Sequence, residues 1–67
     1  MRITMKAARV NKGFTQREAA KRLKISKETL ANWENGKSFP NAANISNLED
    51  VYDLRYDEII FLPCNND

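Results

Sequence analysis

The sequence predicts an all-α fold of five short helices, in which a tight turn joins the second helix to the third. Apolar residues recur at helical spacing over residues 16–23 and 27–34. Residues that cap helix N-termini precede both stretches, and Asn35-Gly36 follows the second. Because 67 residues can form one small core, we expect a single compact domain over 1–67, with its core over about 4–62 and a polar tail over 63–67.

The first helix is predicted to follow Ile3 or Thr4 and to reach Asn11, because Gly13 is a stop signal. Phe14 can fill the junction with the next helix. The residues expected on the buried stripe of this helix are Met5 and Ala8.

The second helix is predicted to begin at Gln16. Thr15 is a good N-cap, and Glu18 completes a capping box, in which two side chains satisfy unpaired backbone N–H groups. One side of this helix is small or apolar and should be buried, and it consists of Ala19, Ala20 and Leu23. The other side carries Arg17, Lys21 and Arg22.

The third helix is predicted over residues 27–34, after a turn at Lys24 and Ile25. Ser26 is its N-cap, and Gly36 supplies a left-handed residue after its end. The residues on its apolar face are Leu30 and Trp33. The opposite face is polar, without a long apolar side chain that would explain it as core, and it carries Lys27, Glu28, Ala31, Asn32 and Asn35.

A fourth helix is predicted over about 42–53. Pro40 cannot continue the third helix, and Phe39 is expected to reach back into the core. The fourth helix should face the core through Ile45, Leu48 and Tyr52, with Val51 at the edge.

A fifth helix is predicted over 57–62, because Asp57 and Glu58 suit a helix N-terminus and Pro63 stops it. A short helix cannot bury four consecutive apolar residues against one small core, which suggests a subunit contact. The competing interpretation is a short strand that adds to a partner's sheet edge. The candidate dimer contact consists of Ile59, Ile60, Phe61 and Leu62.

The net charge of +2 conceals an uneven distribution. Residues 1–38 contain ten basic and three acidic side chains, a net charge of +7, whereas residues 39–67 contain one basic and six acidic side chains, a net charge of −5. The basic half holds the two helices joined by the tight turn, as expected if that part faces phosphates. The alternative is that the lysines only solvate helix surfaces.

Other classes of function find little support in the composition. Histidine is absent, and no glycine-rich phosphate loop is present. We therefore expect no catalytic residue, metal site, cofactor or small-molecule ligand. Cys64 is the only cysteine, which argues against a disulfide framework. No apolar run approaches the roughly 18 residues that span a membrane, and no secretory signal is recognisable, so a cytoplasmic protein, bound to the nucleoid when it acts, is expected.

The chain resembles the lambda-repressor/Cro-like helix-turn-helix family, also called the XRE family, over most of its length. The short segments TQ, WENGK and FP, which occur in this order along the chain, make the resemblance specific. The residues that carry it are Arg9, Gly13, Thr15, Gln16, Ala19, Ala20, Leu23, Ile25, Leu30, Trp33, Glu34, Asn35, Gly36, Lys37, Phe39 and Pro40. Lys24 departs from it, because the family usually has glycine there, and lysine in the same backbone costs about 1 kcal/mol. Glu49 departs too, where a small residue is common.

The resemblance implies that the third helix enters the major groove of double-stranded DNA while the second crosses the backbone. It implies base contacts by Lys27, Glu28 and Asn32, which suit guanine, cytosine and adenine edges respectively. Glu28 could instead repel phosphates or complete a charge arrangement at the helix start. The positions implied to contact or support the DNA backbone are Gln16, Arg17, Ser26, Thr29, Asn35 and Lys37.

The resemblance further implies an ion pair between Arg9 and Glu34 that ties the first helix to the end of the third. A phosphate contact by Arg9 is the other interpretation.

At the level of function, the resemblance implies a phage or prophage Cro-type repressor that binds a palindromic operator as a homodimer. An antitoxin or a restriction-system controller is the alternative among DNA-binding proteins. A protein-interaction module with the same fold is the alternative from a different class. The charge separation and the polar face of the third helix favour DNA.

Overall fold

The computed structural model describes residues 2–61 as four α-helices and a small two-stranded sheet. The helices are α1 (Met5–Asn11), α2 (Gln16–Leu23), α3 (Lys27–Glu34) and α4 (Ala42–Tyr52). The strands are β1 (Ile3–Thr4) and β2 (Ile59–Ile60), and a 3-10 turn (Tyr56–Glu58) precedes β2. The expectation of a mostly helical fold is therefore confirmed.

Side chains cap the start of each α-helix. Thr4, Thr15, Ser26 and Asn41 each accept a hydrogen bond from a backbone N–H three residues later, at 2.9 to 3.1 Å. Thr15 and Glu18 form the predicted capping box, because the Thr15 N–H also donates to Glu18 Oε1 at 2.9 Å. These local bonds satisfy helix-start donors that would otherwise lack partners.

The core lies where α2, α3 and α4 meet, with α1 and β2 closing it. The buried apolar residues are Met5, Ala8, Ala19, Ala20, Leu23, Leu30, Trp33, Leu48, Tyr52 and Ile59. Most were predicted from helical spacing, whereas Ile45 and Val51 are only half-buried. Ala19 and Ala20 of α2 are 0% and 3% exposed, and their small side chains allow a neighbouring helix to pack closely.

The expected helix over 57–62 is wrong within the described residues. Ile59 and Ile60 instead pair in parallel with Ile3 and Thr4. The segment after Asp53 is too short to repay the cost of helix nucleation, and β-branched residues favour a strand. The alternative prediction of a strand is correct, but this strand pairs with Ile3 and Thr4 of the same chain and not with a partner's sheet.

The expectation that Phe39 reaches into the core is also wrong. Its side chain is 51% exposed, whereas Pro40 is buried. Adjacent residues of an extended segment point to opposite sides, so burial of Pro40 turns Phe39 outward. There its ring lies 4.7 Å from that of Phe61, between centroids.

Candidate nucleic-acid interface

The polar face of α3 is the centre of the candidate interface. Leu30 and Trp33 are 0% and 4% exposed, which fixes the rotation of the helix against the core. Of the residues predicted to read bases, Lys27 and Glu28 are exposed and Asn32 is half-buried. All three belong to one helix whose opposite side is anchored, so they move as one rigid group.

The start of α3 is stabilised by two hydroxyl groups. Ser26 Oγ accepts from the Thr29 N–H at 3.1 Å, and the two side-chain oxygens lie 2.8 Å apart. Both residues were expected to contact or support the DNA backbone. Their hydrogen bonds fix the first turn that carries Lys27 and Glu28, and their role at DNA stays a prediction.

The segment after α3 exposes the side chains of Asn35 and Lys37. The backbone donors of this segment are already used. The Asn35 N–H donates to the Ala31 carbonyl at 3.0 Å, and the Lys37 N–H donates to the Asn32 carbonyl at 2.8 Å. Gly36, with φ of +77°, makes this tight ending. A phosphate here would therefore meet the two side chains and not the backbone N–H groups of these two residues.

The start of α2 lies next to the end of α3. Arg17 is exposed, whereas Gln16 is half-buried. Gln16 Nε2 donates to Glu34 Oε1 at 3.0 Å. Sequence reasoning missed this bond, because the two residues are 18 positions apart and no periodic pattern links them.

Arg9 and Glu34 form a buried pair, with residue exposures of 9% and 6%. Arg9 Nε donates to Glu34 Oε2 at 2.8 Å, and Arg9 Nη1 donates to the Phe14 carbonyl at 3.0 Å. The same guanidinium thus binds both the end of α3 and the segment that enters α2. Arg9 Nη2 also lies 3.4 Å from Glu34 Oε1. All three nitrogens of the guanidinium thus donate within the protein, which supports the structural interpretation of Arg9 over a phosphate contact.

Tyr52 lies close enough to this pair for the two charges to affect the pKa of its hydroxyl. Burial raises the pKa of Tyr52 to about 12. The negative charge of Glu34 also raises it, whereas the positive charge of Arg9 lowers it. No group in residues 2–61 forms a hydrogen bond with its buried hydroxyl. The sequence predicted Tyr52 only as an apolar core residue.

The turn between α2 and α3 keeps a left-handed residue at Lys24, with φ of 60° and ψ of 42°. Lysine therefore adopts the backbone for which glycine is usual, and its Cβ makes that conformation strained. The exposed side chain belongs to the basic half of the chain. Arg22, also in that half, stacks over the Phe14 ring, with its guanidinium carbon 4.6 Å from the ring centroid.

The candidate dimer residues have different surroundings. Ile59 is 3% exposed and belongs to the core, whereas Ile60 and Phe61 are half-buried. Phe61 contacts the rings of Phe39 and Tyr56, with centroids 4.7 and 5.6 Å away. Leu62 and the tail over 63–67 lie outside the described residues.

Residues 2–61 contain no group of three or more metal-binding side chains that could hold an ion. None of the helices in that range is both long and apolar enough to pass through a bilayer.

Comparison with known proteins identifies this arrangement of helices. Residues 5–59 match the family model described as helix-turn-helix. The HTH-type transcriptional activator BcrR of Enterococcus faecalis is 29% identical over 52 residues, which are 78% of this chain and 26% of that protein. The HTH-type transcriptional regulator ImmR of Bacillus subtilis (strain 168) is 32% identical over 56 residues, which are 84% of this chain and 44% of that protein. The chain thus spans less than half the length of either relative.

Proposed function

From the premise that this chain belongs to the XRE family of helix-turn-helix proteins, we propose that it is a non-enzymatic transcriptional regulator that binds double-stranded DNA. Its place of action would be the cytoplasm, at the nucleoid. The whole of residues 1–67 would act as one DNA-binding domain. In this proposal α3 lies in the major groove while α2 crosses the backbone.

The observation that carries the proposal is the polar face of α3. Its opposite side is fixed in the core by Leu30 and Trp33, yet the outer side presents hydrogen-bonding groups and no large apolar residue. A face built to dock on an apolar protein surface would have the opposite composition. The net charge of +7 over residues 1–38 provides the attraction to phosphate.

Base contacts are assigned to three residues of α3. Lys27 would donate to guanine acceptors, and Asn32 would bind adenine through its amide. Glu28 would accept from the cytosine amino group, and its negative charge would penalise any register that brings it close to a phosphate. The assignment is supported by exposure of Lys27 and Glu28 at the first turn of α3.

Backbone contacts are assigned to both sides of this helix. Gln16 and Arg17 would meet phosphates at the start of α2, where a helix N-terminus favours anions. The side chains of Asn35 and Lys37 would meet phosphates beyond the end of α3. Such contacts orient the protein but do not select the sequence. Thr29 would add a phosphate or thymine-methyl contact beside its bond to Ser26.

We further propose that the protein binds a palindromic operator as a homodimer and represses in the manner of a Cro-type phage or prophage protein. A single unit with few base-reading residues rarely supplies enough specificity, and two-fold symmetry places two α3 helices about one DNA turn apart. Ile60, Phe61 and Leu62 are the proposed subunit contact, because Ile59 is already used in the core of its own chain.

The testing experiment is selection of bound sequences from a random duplex pool, with the affinity of the recovered duplexes followed against salt concentration. A palindromic motif with a steep salt dependence is expected. Recovery of no motif, with only weak salt-sensitive binding, would contradict sequence-specific regulation. Sedimentation of the protein on a half-site and on a full palindrome tests the dimer, since one protomer on each full site would contradict it.

A further inference from the structure

We infer that Glu34 is a positioning residue for DNA binding, because its buried carboxylate holds the Gln16 side-chain amide ready to donate to a phosphate. The inference rests on the proposed function and deepens it. It concerns the chain of contacts from Arg9 through Glu34 to Gln16, which joins α1, the end of α3 and the start of α2.

The carboxylate of Glu34 is held on both of its oxygens. Oε2 accepts from Arg9 Nε at 2.8 Å. Oε1 accepts from Gln16 Nε2 at 3.0 Å and from Arg9 Nη2 at 3.4 Å. Because the Glu34 side chain is 2% exposed, water cannot readily replace these donors. The position of the carboxylate is therefore set by Arg9, and it is available to orient Gln16.

The chemistry of the partners determines which end of the Gln16 amide faces Glu34. An ionised carboxylate can only accept hydrogen bonds, so the nitrogen of the amide must point toward it. The amide nitrogen carries two hydrogens, and Glu34 takes one. Among residues 2–61, no group accepts a hydrogen bond from the other. A neutral amide at position 34 could also donate to the Gln16 oxygen. The orientation of the Gln16 amide would then no longer be fixed.

Gln16 is the first residue of α2, a helix of eight residues. The capping box uses the Glu18 N–H, while the N–H groups of the first helical residues have no intrahelical acceptor. A phosphate at this end would meet those groups together with the remaining amide hydrogen of Gln16. Since the side chain is already ordered by Glu34, little rotamer entropy is lost when DNA binds.

The arrangement also connects the two kinds of DNA contact. Glu34 is the last residue of α3, so the helix proposed to read bases and the residue proposed to bind phosphate share one buried anchor. A shift of α3 along the groove would pull on the Gln16 contact. Glu34 would thus help to keep base reading and backbone binding in register without touching DNA.

The experiment is a double-mutant cycle on the palindromic duplex recovered from the random pool. The variants are Glu34→Gln, Gln16→Ala and the double variant. Glu34→Gln is expected to weaken binding about fivefold, the worth of one net hydrogen bond, and Gln16→Ala by at least as much. In the Gln16→Ala background, Glu34→Gln should cost less than about twofold, because the residue it positions is gone.

The matched control is Asp50→Asn, which makes the same change in net charge at an exposed position of α4. Because loss of a negative charge favours binding to phosphate, Asp50→Asn should leave binding unchanged or slightly tighter. A loss equal to that of Glu34→Gln would show that the loss is not specific to the Gln16 contact. An equal loss from Glu34→Gln with and without Gln16 would overturn the positioning role and leave a purely structural one.

A second route covers the case in which Glu34→Gln does not fold, as judged by far-ultraviolet circular dichroism. The variant Arg9→Met/Glu34→Met replaces the buried pair with apolar residues, a type of change that is often neutral for stability. It leaves Gln16 without its acceptor. We expect this double variant to lose about fivefold in DNA affinity and to cause no such loss in the Gln16→Ala background. Additive losses of affinity would overturn the inference.

A spectroscopic readout follows Gln16 directly, because it is the only glutamine in the chain. With glutamine side chains labelled with ¹⁵N, one pair of amide proton signals is expected, with its shift changed before DNA is added by Arg9→Met/Glu34→Met, a variant that introduces no second glutamine. An unchanged pair would contradict the bond. If the unaltered chain binds no duplex selectively, the proposed function and the inference fall together. If it binds and the cycle is additive, only the inference falls.

Discussion

Arg9 Nε lies 2.8 Å from Glu34 Oε2, and this contact ties α1 to the last residue of α3 across 25 positions of the chain. The side chains are 10% and 2% exposed. Arg9 also donates to the Phe14 carbonyl at 3.0 Å, so its side chain joins α1 to two other parts of the fold. A buried pair adds little net stability, but either partner alone would be an uncompensated charge.

Arg9→Met should therefore destabilise the fold by about 3 kcal/mol, because it leaves the Glu34 carboxylate buried without its cation. Urea unfolding followed by Trp33 fluorescence measures this loss. Lys12→Met is the matched control, since Lys12 Nζ lies 4.0 Å from Asp53 Oδ2 at an exposed site, and surface pairs contribute about 1 kcal/mol or less. Equal losses in the two variants would contradict the special role of the buried pair.

Lys24→Gly should stabilise the protein by about 1 kcal/mol, because Lys24 adopts a left-handed backbone with φ of 60° that glycine accepts without Cβ strain. The free energy of unfolding from urea titration is the measurement. Lys24→Ala removes the same charge but keeps a Cβ, so it should bring little of this gain. A similar rise in both variants would show that charge, and not backbone strain, is the cause.

Glu18 should make stability depend on acid pH. Hydrogen bonds from the backbone and then the side chain of Thr15 lower the pKa of Glu18 below its ordinary 4.5 in the folded state. A lowered folded pKa gives stability that is present above pH 4.5 and lost as the pH falls through the folded value. The stability difference between the unaltered chain and Glu18→Gln should therefore shrink between pH 7 and pH 3 in urea titrations. A constant difference would refute this assignment.

Asn32→Ala and Lys37→Ala should have separable effects on DNA binding. Loss of the Asn32 amide should cost about 1 to 3 kcal/mol on the selected duplex and relax the preference at one base pair. Loss of the Lys37 charge should weaken all sequences similarly and make the salt slope shallower by about one unit. Affinities for the selected and a scrambled duplex, measured over a salt series, test both. An equal loss from Asn32→Ala on both duplexes, or a loss from Lys37→Ala on the selected duplex alone with an unchanged salt slope, would contradict the assigned roles.

The bounds of α2 and α3 could be predicted from sequence to the residue. Thr15, Glu18 and Ser26 act within three positions of themselves along the chain, so the information needed to place a helix start is local. The burial of Leu30 and Trp33 follows from their spacing in the same way. The family, and with it the candidate face of α3, could be recognised for this reason.

Other features depended on residues far apart in the chain. The last apolar run was predicted as a helix, yet its β-branched residues found a pairing edge at Ile3 and Thr4. Phe39 was placed in the core, yet burial of Pro40 turned it toward Phe61. Local propensity is weak in such short segments, so tertiary contacts decide their conformation.

The sequence by itself determined four helices, the N-caps of α2 and α3 and the polar face of α3, because each is encoded by neighbours within one or two helical turns. The charge difference between the two halves follows from composition alone. Only the tertiary structure joined Gln16 to Glu34 and Arg9, and only it paired the two ends of the described chain in one sheet. Those contacts exist only when the helices pack, since their geometry depends on the relative placement of whole elements and not on any local pattern.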